Sequence, residues 1–190
     1  MRTFVAVDIS EEARRLAAER IAFLRERFSD LRVSWDKPEK LHLTLKFLGD
    51  ISPEKLPQII SAVENAAAKI EPFSLVLEKA GAFPPRGVAR VLWLGVIDKS
   101  QRLSELHQQL ENEFEQIGFE KERRGFKPHL TIARLKEPEK ARNLTDLHLK
   151  TDFPGVSFSV SEVVLFKSDL RPTGSIYTPL AKINLKKNKG

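Results

Sequence analysis

The chain has 190 residues, 41% hydrophobic and 31% charged, with a formal net charge of +6 and a pI near 9.6. This length suits one large domain or two small lobes with a substantial core, and no apolar run is long enough to span a membrane. The absence of cysteine excludes disulfides and thiolate metal sites, while the positive balance favours polyanionic partners such as nucleic acid.

The opening, Met1 to Asp8, is charged too early for a signal peptide, so the expected compartment is the cytoplasm. Thr3–Ile9 reads as a strand. A helix follows from about Glu11 to Phe28, with Ala13, Leu16, Ala17, Ile21 and Leu24 at helical spacing and Ser10 as its cap. After Val33 and Trp35 comes a strand over Leu41–Leu48. A second helix starts at Ser52 and Pro53 and runs to about Ile70. Phe73–Leu77 reads as a strand and Gly81 to Gly87 as a loop.

The order then returns. Arg90–Val96 is a strand, Ser100 caps a helix striped by Leu103, Leu106, Leu110 and Phe114, and Gly118 ends it. Lys127–Leu135 is the next strand. The spacing from Phe4 to His42 matches that from Leu92 to His129 to within one residue, which predicts a duplication with two similar halves. Pro138 to Leu149 holds a short helix, Phe158–Phe166 reads as one strand, and Ile176 to Leu185 closes a sheet. The lysines from Lys182 to Lys189 read as a solvated tail.

The two matching strands carry one phrase twice: His42-Leu43-Thr44-Leu45 and His129-Leu130-Thr131-Ile132. Alternate side chains of a strand face opposite ways, so each imidazole shares a face with a hydroxyl while the leucines go inward. Histidine takes both protonation states near neutrality. Two of them across a reacting centre form a general acid and a general base. The threonines stand where they can donate hydrogen bonds to an anion between them, and a phosphodiester fits that description. The spacing of a zinc site is missing, and neither phrase contains Asp or Glu. No metal or other cofactor is expected.

Leu41 to Gly49, together with Phe126 to Arg134, resembles the 2H phosphoesterases, and within them the RNA 2',3'-cyclic phosphodiesterases, also called 2'-5' RNA ligases. Phe4–Asp8, Gly81–Pro84, Val91–Val96 and Val164–Ser168 are similar to segments of that family in the same order. The resemblance implies an α+β fold, one bilobal 2H phosphoesterase domain over 1–190. Its two pseudo-symmetric halves, each an antiparallel sheet with helices, flank a groove carrying both phrases. It implies hydrolysis of RNA 2',3'-cyclic phosphate ends to 2'-phosphates, with His42 as proton donor, His129 as proton acceptor, and Thr44 and Thr131 on the phosphate oxygens. A 5'-hydroxyl in place of water would give 2'-5' ligation. The implied partner is RNA with a cyclic phosphate end, tRNA fragments among the candidates, and nothing demands more than a monomer.

Several residues keep two readings. Arg134 occupies a family-like position as a phosphate partner, but strict alternation puts it on the face opposite His129, as a surface or lobe-bridging arginine. Lys46 and Lys127 fall on the histidine faces and could meet RNA or only solvent. Trp35 and Phe83 could stack on a base, but core packing is the favoured reading for Trp35 as well as for Trp93. His107 and His148 read as structural. Two other functions remain open: a non-catalytic RNA- or nucleotide-binding module, and an esterase of small cyclic phosphates.

Overall fold

The computed structural model describes residues 1–171 and 174–186. Among them are nine strands and four helices in the order β1 (Arg2–Val7), α1 (Glu11–Arg27), β2 (Val33–Trp35), β3 (Leu43–Asp50), α2 (Leu56–Ala67), β4 (Phe73–Phe83), β5 (Val91–Ile97), α3 (Arg102–Gln116), β6 (His129–Leu135), α4 (Arg142–Lys150), β7 (Val156–Val160), β8 (Glu162–Asp169) and β9 (Ile176–Asn184). No described helix is long and apolar enough to cross a membrane. The expected tail residues Lys187 and Lys189 lie outside the described residues.

Local chemistry sets the helix ends. The Ser10 hydroxyl accepts the Ala13 N–H at 3.1 Å, with Glu11 and Glu12 at the positive end of the α1 dipole. Gly118 takes φ +89° after α3, where its N–H reaches the Glu115 carbonyl and the Phe119 N–H reaches that of Phe114. This closes the helix in a Schellman motif, with the Phe119 ring packed on Phe114. At the start of α3 the expected cap moves: Gln101 is the boundary residue, and Asp98 Oδ2 receives the N–H groups of Leu103 and Ser104. The Ser100 hydroxyl accepts only from Arg102 N–H. Ser52 and Pro53 open a 3₁₀ turn, Pro53–Lys55, before α2 proper.

Two antiparallel sheets form, ordered β3-β1-β8-β9 and β2-β6-β5-β4-β7. Helices α2 and α3 pack behind the first, α1 and α4 behind the second. The lobes are therefore assembled across the duplication: α1 follows a strand of the first sheet yet covers the second, and α3 does the reverse. Buried residues from both sheets and all four helices join in one apolar cluster.

Two stretches depart from the sequence expectation in kind, beyond shifts of a residue or two at strand ends. The stretch Phe158–Phe166 is two strands, because Val160 and Val163 are both buried and the apolar phase slips at Ser161, where the chain leaves the second sheet for the first. Gly81–Phe83, expected as loop, continues β4 and pairs with Trp93, Leu92 and Val91. Gly81 is needed there for space: a Cβ would sit 2.1 Å from the Trp93 ring. The indole lies across Gly81 and Gly95, half-buried, and Trp93 itself pairs with Thr131 on the neighbouring strand. Trp93 is thus not inside the sheet–helix core. It lies beside His129 instead, with ring centroids 6.1 Å apart.

Candidate active site

A groove of about 1700 Å³ opens between the two sheets and is lined by His42, Thr44, His129, Thr131 and Arg134 together. Both histidines sit at the N-terminal mouth of their strands, His42 one residue before β3 and His129 as the first residue of β6. The first histidine strand therefore begins and ends two residues later than Leu41–Leu48. Each imidazole is held in the same way. His42 Nδ1 donates to the Lys40 carbonyl at 2.7 Å, and His129 Nδ1 donates to the Lys127 carbonyl at 2.7 Å. A carbonyl only accepts, so Nδ1 carries the proton in both rings and Nε2 is the nitrogen left to gain or lose one.

The rings are supported differently. His42 stacks on Phe4 at 4.8 Å and meets Tyr177 edge-on at 5.2 Å. His129 meets Phe83 edge-on at 5.0 Å. Arg14 frames the first site from behind, donating to the carbonyls of Pro38 at 2.8 Å and Leu41 at 3.1 Å and to Asp8 Oδ1 at 2.6 Å. Burial pulls both imidazoles below the usual histidine range. In His42 the Lys40 carbonyl and Asp8 push the other way, with Arg14 adding a smaller downward effect. In His129 the Lys127 carbonyl opposes burial and the Arg134 charge reinforces it. The nearby charges thus favour the protonated form at His42 and the neutral form at His129.

The register explains Arg134. Trp93 pairs with Thr131 and Leu92 with Ala133, so Ile132 is an extra residue on β6. A bulge of this kind reverses the alternation beyond it. Ile132 and Ala133 are both buried, and Arg134 emerges on the histidine face. The same device appears in β3, where Val5 pairs with Lys46 and Ala6 with Thr44, leaving Leu45 extra. Lys46 is accordingly turned away from the His42 face, contrary to its expected place there. It is 7% exposed, with Nζ 2.8 Å from both Glu111 carboxylate oxygens and from the Glu120 carbonyl. Its charge is spent on Glu111 and on anchoring the loop after α3.

Lys127, Trp35 and Phe83 all line the groove. His107 does too, stacked on Phe126 at 4.1 Å and 3.6 Å from Glu111. His148 is fully buried, with Nε2 3.1 Å from the Trp93 carbonyl and its pKa pulled down to about 4 by burial. It is a neutral packing group. Sequence reasoning missed Asp36, Tyr177, Phe47, Arg123 and Arg124 on the groove wall. Phe47 left no signal in the sequence: the bulge at Leu45 that turns it outward exists only in the pairing of β3 with β1. Among the described residues no three of His, Cys, Asp or Glu cluster to hold a metal ion.

The family model of the 2'-5' RNA ligase superfamily matches residues 10–172. An RNA 2',3'-cyclic phosphodiesterase of Methanothermobacter thermautotrophicus is 37% identical over 97% of this chain and 99% of its own length. One from Thermotoga maritima is 36% identical over 95% and 93%. Among solved structures, a Thermus thermophilus protein superposes with a TM-score of 0.81 at 29% identity, covering 99% of this chain and 100% of its own. E. coli LigT with 3'-AMP superposes with a TM-score of 0.74 at 28% identity over 98% of both chains. With its groove, its paired phrases and these matches in agreement, the chain belongs to the 2'-5' RNA ligase superfamily.

Proposed function

We propose that this protein hydrolyses RNA ends carrying a 2',3'-cyclic phosphate, leaving a 2'-phosphate and a free 3'-hydroxyl. The observation that carries this reading is the pair of imidazoles whose Nδ1 atoms are tied to backbone carbonyls, so that the open nitrogen of each belongs to one groove. Its relatives' activity agrees with it. His129 Nε2 takes a proton from water as the water oxygen attacks phosphorus. The P–O3' bond breaks in line, and His42 Nε2–H gives its proton to O3'. Proton exchange with solvent then resets both rings. Thr44, Thr131 and Arg134 hold the non-bridging oxygens, where charge builds in the transition state. A 5'-hydroxyl replacing water forms a 2'-5' linkage by the same proton movements.

The groove exceeds the roughly 300–1,000 Å³ of small-molecule pockets, and Arg123, Arg124, Lys127 and Arg171 stand along it. This favours a polynucleotide, tRNA fragments among the candidates, over a free cyclic nucleotide. On this proposal the chain is one bilobal domain working as a monomer.

A short RNA ending in a 2',3'-cyclic phosphate, incubated in EDTA, tests the proposal. Conversion to a 2'-phosphate, abolished in His42→Ala, supports it. A 3'-phosphate product would reverse the leaving oxygen. Turnover that requires an added metal, or that survives both histidine substitutions, would overturn it.

A further inference from the structure

Between α3 and β6 the chain runs through residues 119–128 as neither helix nor strand, and most of this loop lines the groove. Irregular connections commonly lie loose on a surface, but this one is pinned at two points. At the first, Lys46 Nζ donates to the Glu120 carbonyl at 2.8 Å, and Glu111 Oε2 accepts the Glu122 N–H at 3.0 Å. The two side chains that reach the loop are themselves an ion pair at 2.8 Å, only 6% and 5% exposed. At the second, the Phe126 ring lies flat on His107 of α3, with centroids 4.1 Å apart and planes 10° from parallel.

An ion pair buried this deeply gives little stability over two apolar side chains of similar volume. What it supplies here is placement. The carbonyl of Glu120 meets the cation and the N–H of Glu122 meets the anion, so the loop has one seat against β3 and α3. Between the two pins stand Arg123 and Arg124, exposed on the groove wall, with Lys127 just after them. Lys121 is paired with Glu115 at 2.8 Å, whereas no described carboxylate lies within ion-pair distance of Arg123, Arg124 or Lys127.

We propose that Lys46, Glu111 and His107 are positioning residues for the body of the RNA, holding the loop so that Arg123, Arg124 and Lys127 meet phosphates beyond the terminal nucleotide. The inference rests on the function proposed above. The reacting phosphate is served by groups on the two histidine strands, and a cyclic mononucleotide has no other phosphate. Each further nucleotide of an RNA adds one, and a fixed row of cations gathers those charges without reading sequence. Preference for RNA over a cyclic mononucleotide then resides in the loop and its pins, apart from the chemistry.

The test compares wild type with the double variant Lys46→Met and Glu111→Leu across a salt series. The substrates are adenosine 2',3'-cyclic phosphate and a short RNA ending in that same nucleotide. The double variant should keep wild-type kcat on both and wild-type KM on the mononucleotide. Its KM on the RNA should rise by up to about 100-fold near 0.1 M salt and converge on wild type towards 1 M, the counterion release of three phosphates at about 0.7 each. The slope of log KM against log salt should flatten by about 2 in step. Arg123→Gln with Arg124→Gln should flatten that slope too. If the arginine variant flattens it and the Lys46 and Glu111 variant does not, the pins are overturned; if neither does, the whole inference is. A KM raised equally on both substrates, or a lowered kcat, would give the ion pair a merely structural role and overturn it as well. Should the double variant fail to fold, His107→Ala takes its place with the same expectation, because it releases Phe126 and leaves the ion pair whole. If wild type turns over neither substrate, the proposed function has failed rather than the pins. Binding of a short single-stranded RNA with a 3'-phosphate then decides: a flatter salt slope in the double variant supports the inference, and an equal slope overturns it.

Discussion

The strand after Lys40 and the strand after Pro128 present the same His and Thr from the same bulged backbone, yet their surroundings are chemically unlike. Behind β3 lies a buried ion pair, Lys46 with Glu111, and an arginine frame, Arg14 with Asp8. Behind β6 the position of Lys46 is Ala133, and the buried polar groups of that lobe are the neutral His148 and Arg20, whose guanidinium donates to backbone carbonyls of His148, Thr151 and Asp152. On the groove side one strand ends in a phenyl ring and the other in a guanidinium. Two matching strands thus supply a similar pair of imidazoles, both pulled down by burial, while Asp8 favours the proton at His42 and Arg134 disfavours it at His129. On the roles proposed above, the difference between acid and base lies in the neighbours and not in the motif.

The harshest way to break the comparison is to remove either imidazole. His42→Ala and His129→Ala should each cost about 10²–10⁴-fold in kcat on a cyclic-phosphate RNA. One variant keeping near-wild-type kcat would show that the two strands are not a working pair.

Next comes the buried ion pair behind the first sheet. Glu111→Leu leaves Lys46 without a counter-charge and should lower stability by about 3–5 kcal/mol in urea unfolding. Lys46→Met combined with Glu111→Leu should recover most of that loss, since two apolar groups leave no charge stranded. A double variant as weak as the single one would mean that the pair's tie to the Glu120 carbonyl matters more than its charge.

In the other lobe, His148 ties stability to pH. Its folded-state pKa of about 4 lies below the ordinary 6.5, so the unfolded chain binds the proton more readily. The contribution is complete above pH 6.5 and is lost as pH falls towards 4, up to about 3 kcal/mol in all. Denaturant midpoints across that window should fall in wild type and stay flatter in His148→Leu. Equal slopes would assign the acid sensitivity elsewhere.

The smallest effect is the most discriminating. Both imidazoles are depressed by burial, so the bell of kcat/KM should centre below pH 6.5. Arg134→Met removes a positive charge beside His129 and should raise its pKa. If His129 is the base, active when neutral, the acidic limb moves to higher pH. Asp8→Asn removes a negative charge near His42, lowers its pKa, and should draw the alkaline limb to lower pH. Each substitution moving the opposite limb would exchange the roles of acid and base.

How much was legible follows from which interactions are local. The faces of His42, Thr44, His129 and Thr131 were readable because strand alternation is a property of the backbone. So were the Ser10 cap and the Gly118 stop, since hydrogen bonds within one turn need only neighbouring residues. Arg134 stayed undecided because a bulge exists only relative to the partner strand. Lys46 was misplaced for the same reason: its side chain turns with Leu45, and its counter-charge arrives from α3, far along the chain.

By itself, then, the sequence determined most of the element order, β2 and the break between β7 and β8 excepted, together with the repeated phrase and the chemistry two imidazoles can offer. Tertiary structure alone decided that α1 and α3 cross to the opposite sheets, that Arg134 and Phe47 share the groove, and that Asp36 and Tyr177 join its wall. The physical reason is that alternation and capping are fixed over a few residues. Register, bulges and the closing of one sheet against another depend on segments that meet only when the chain has folded.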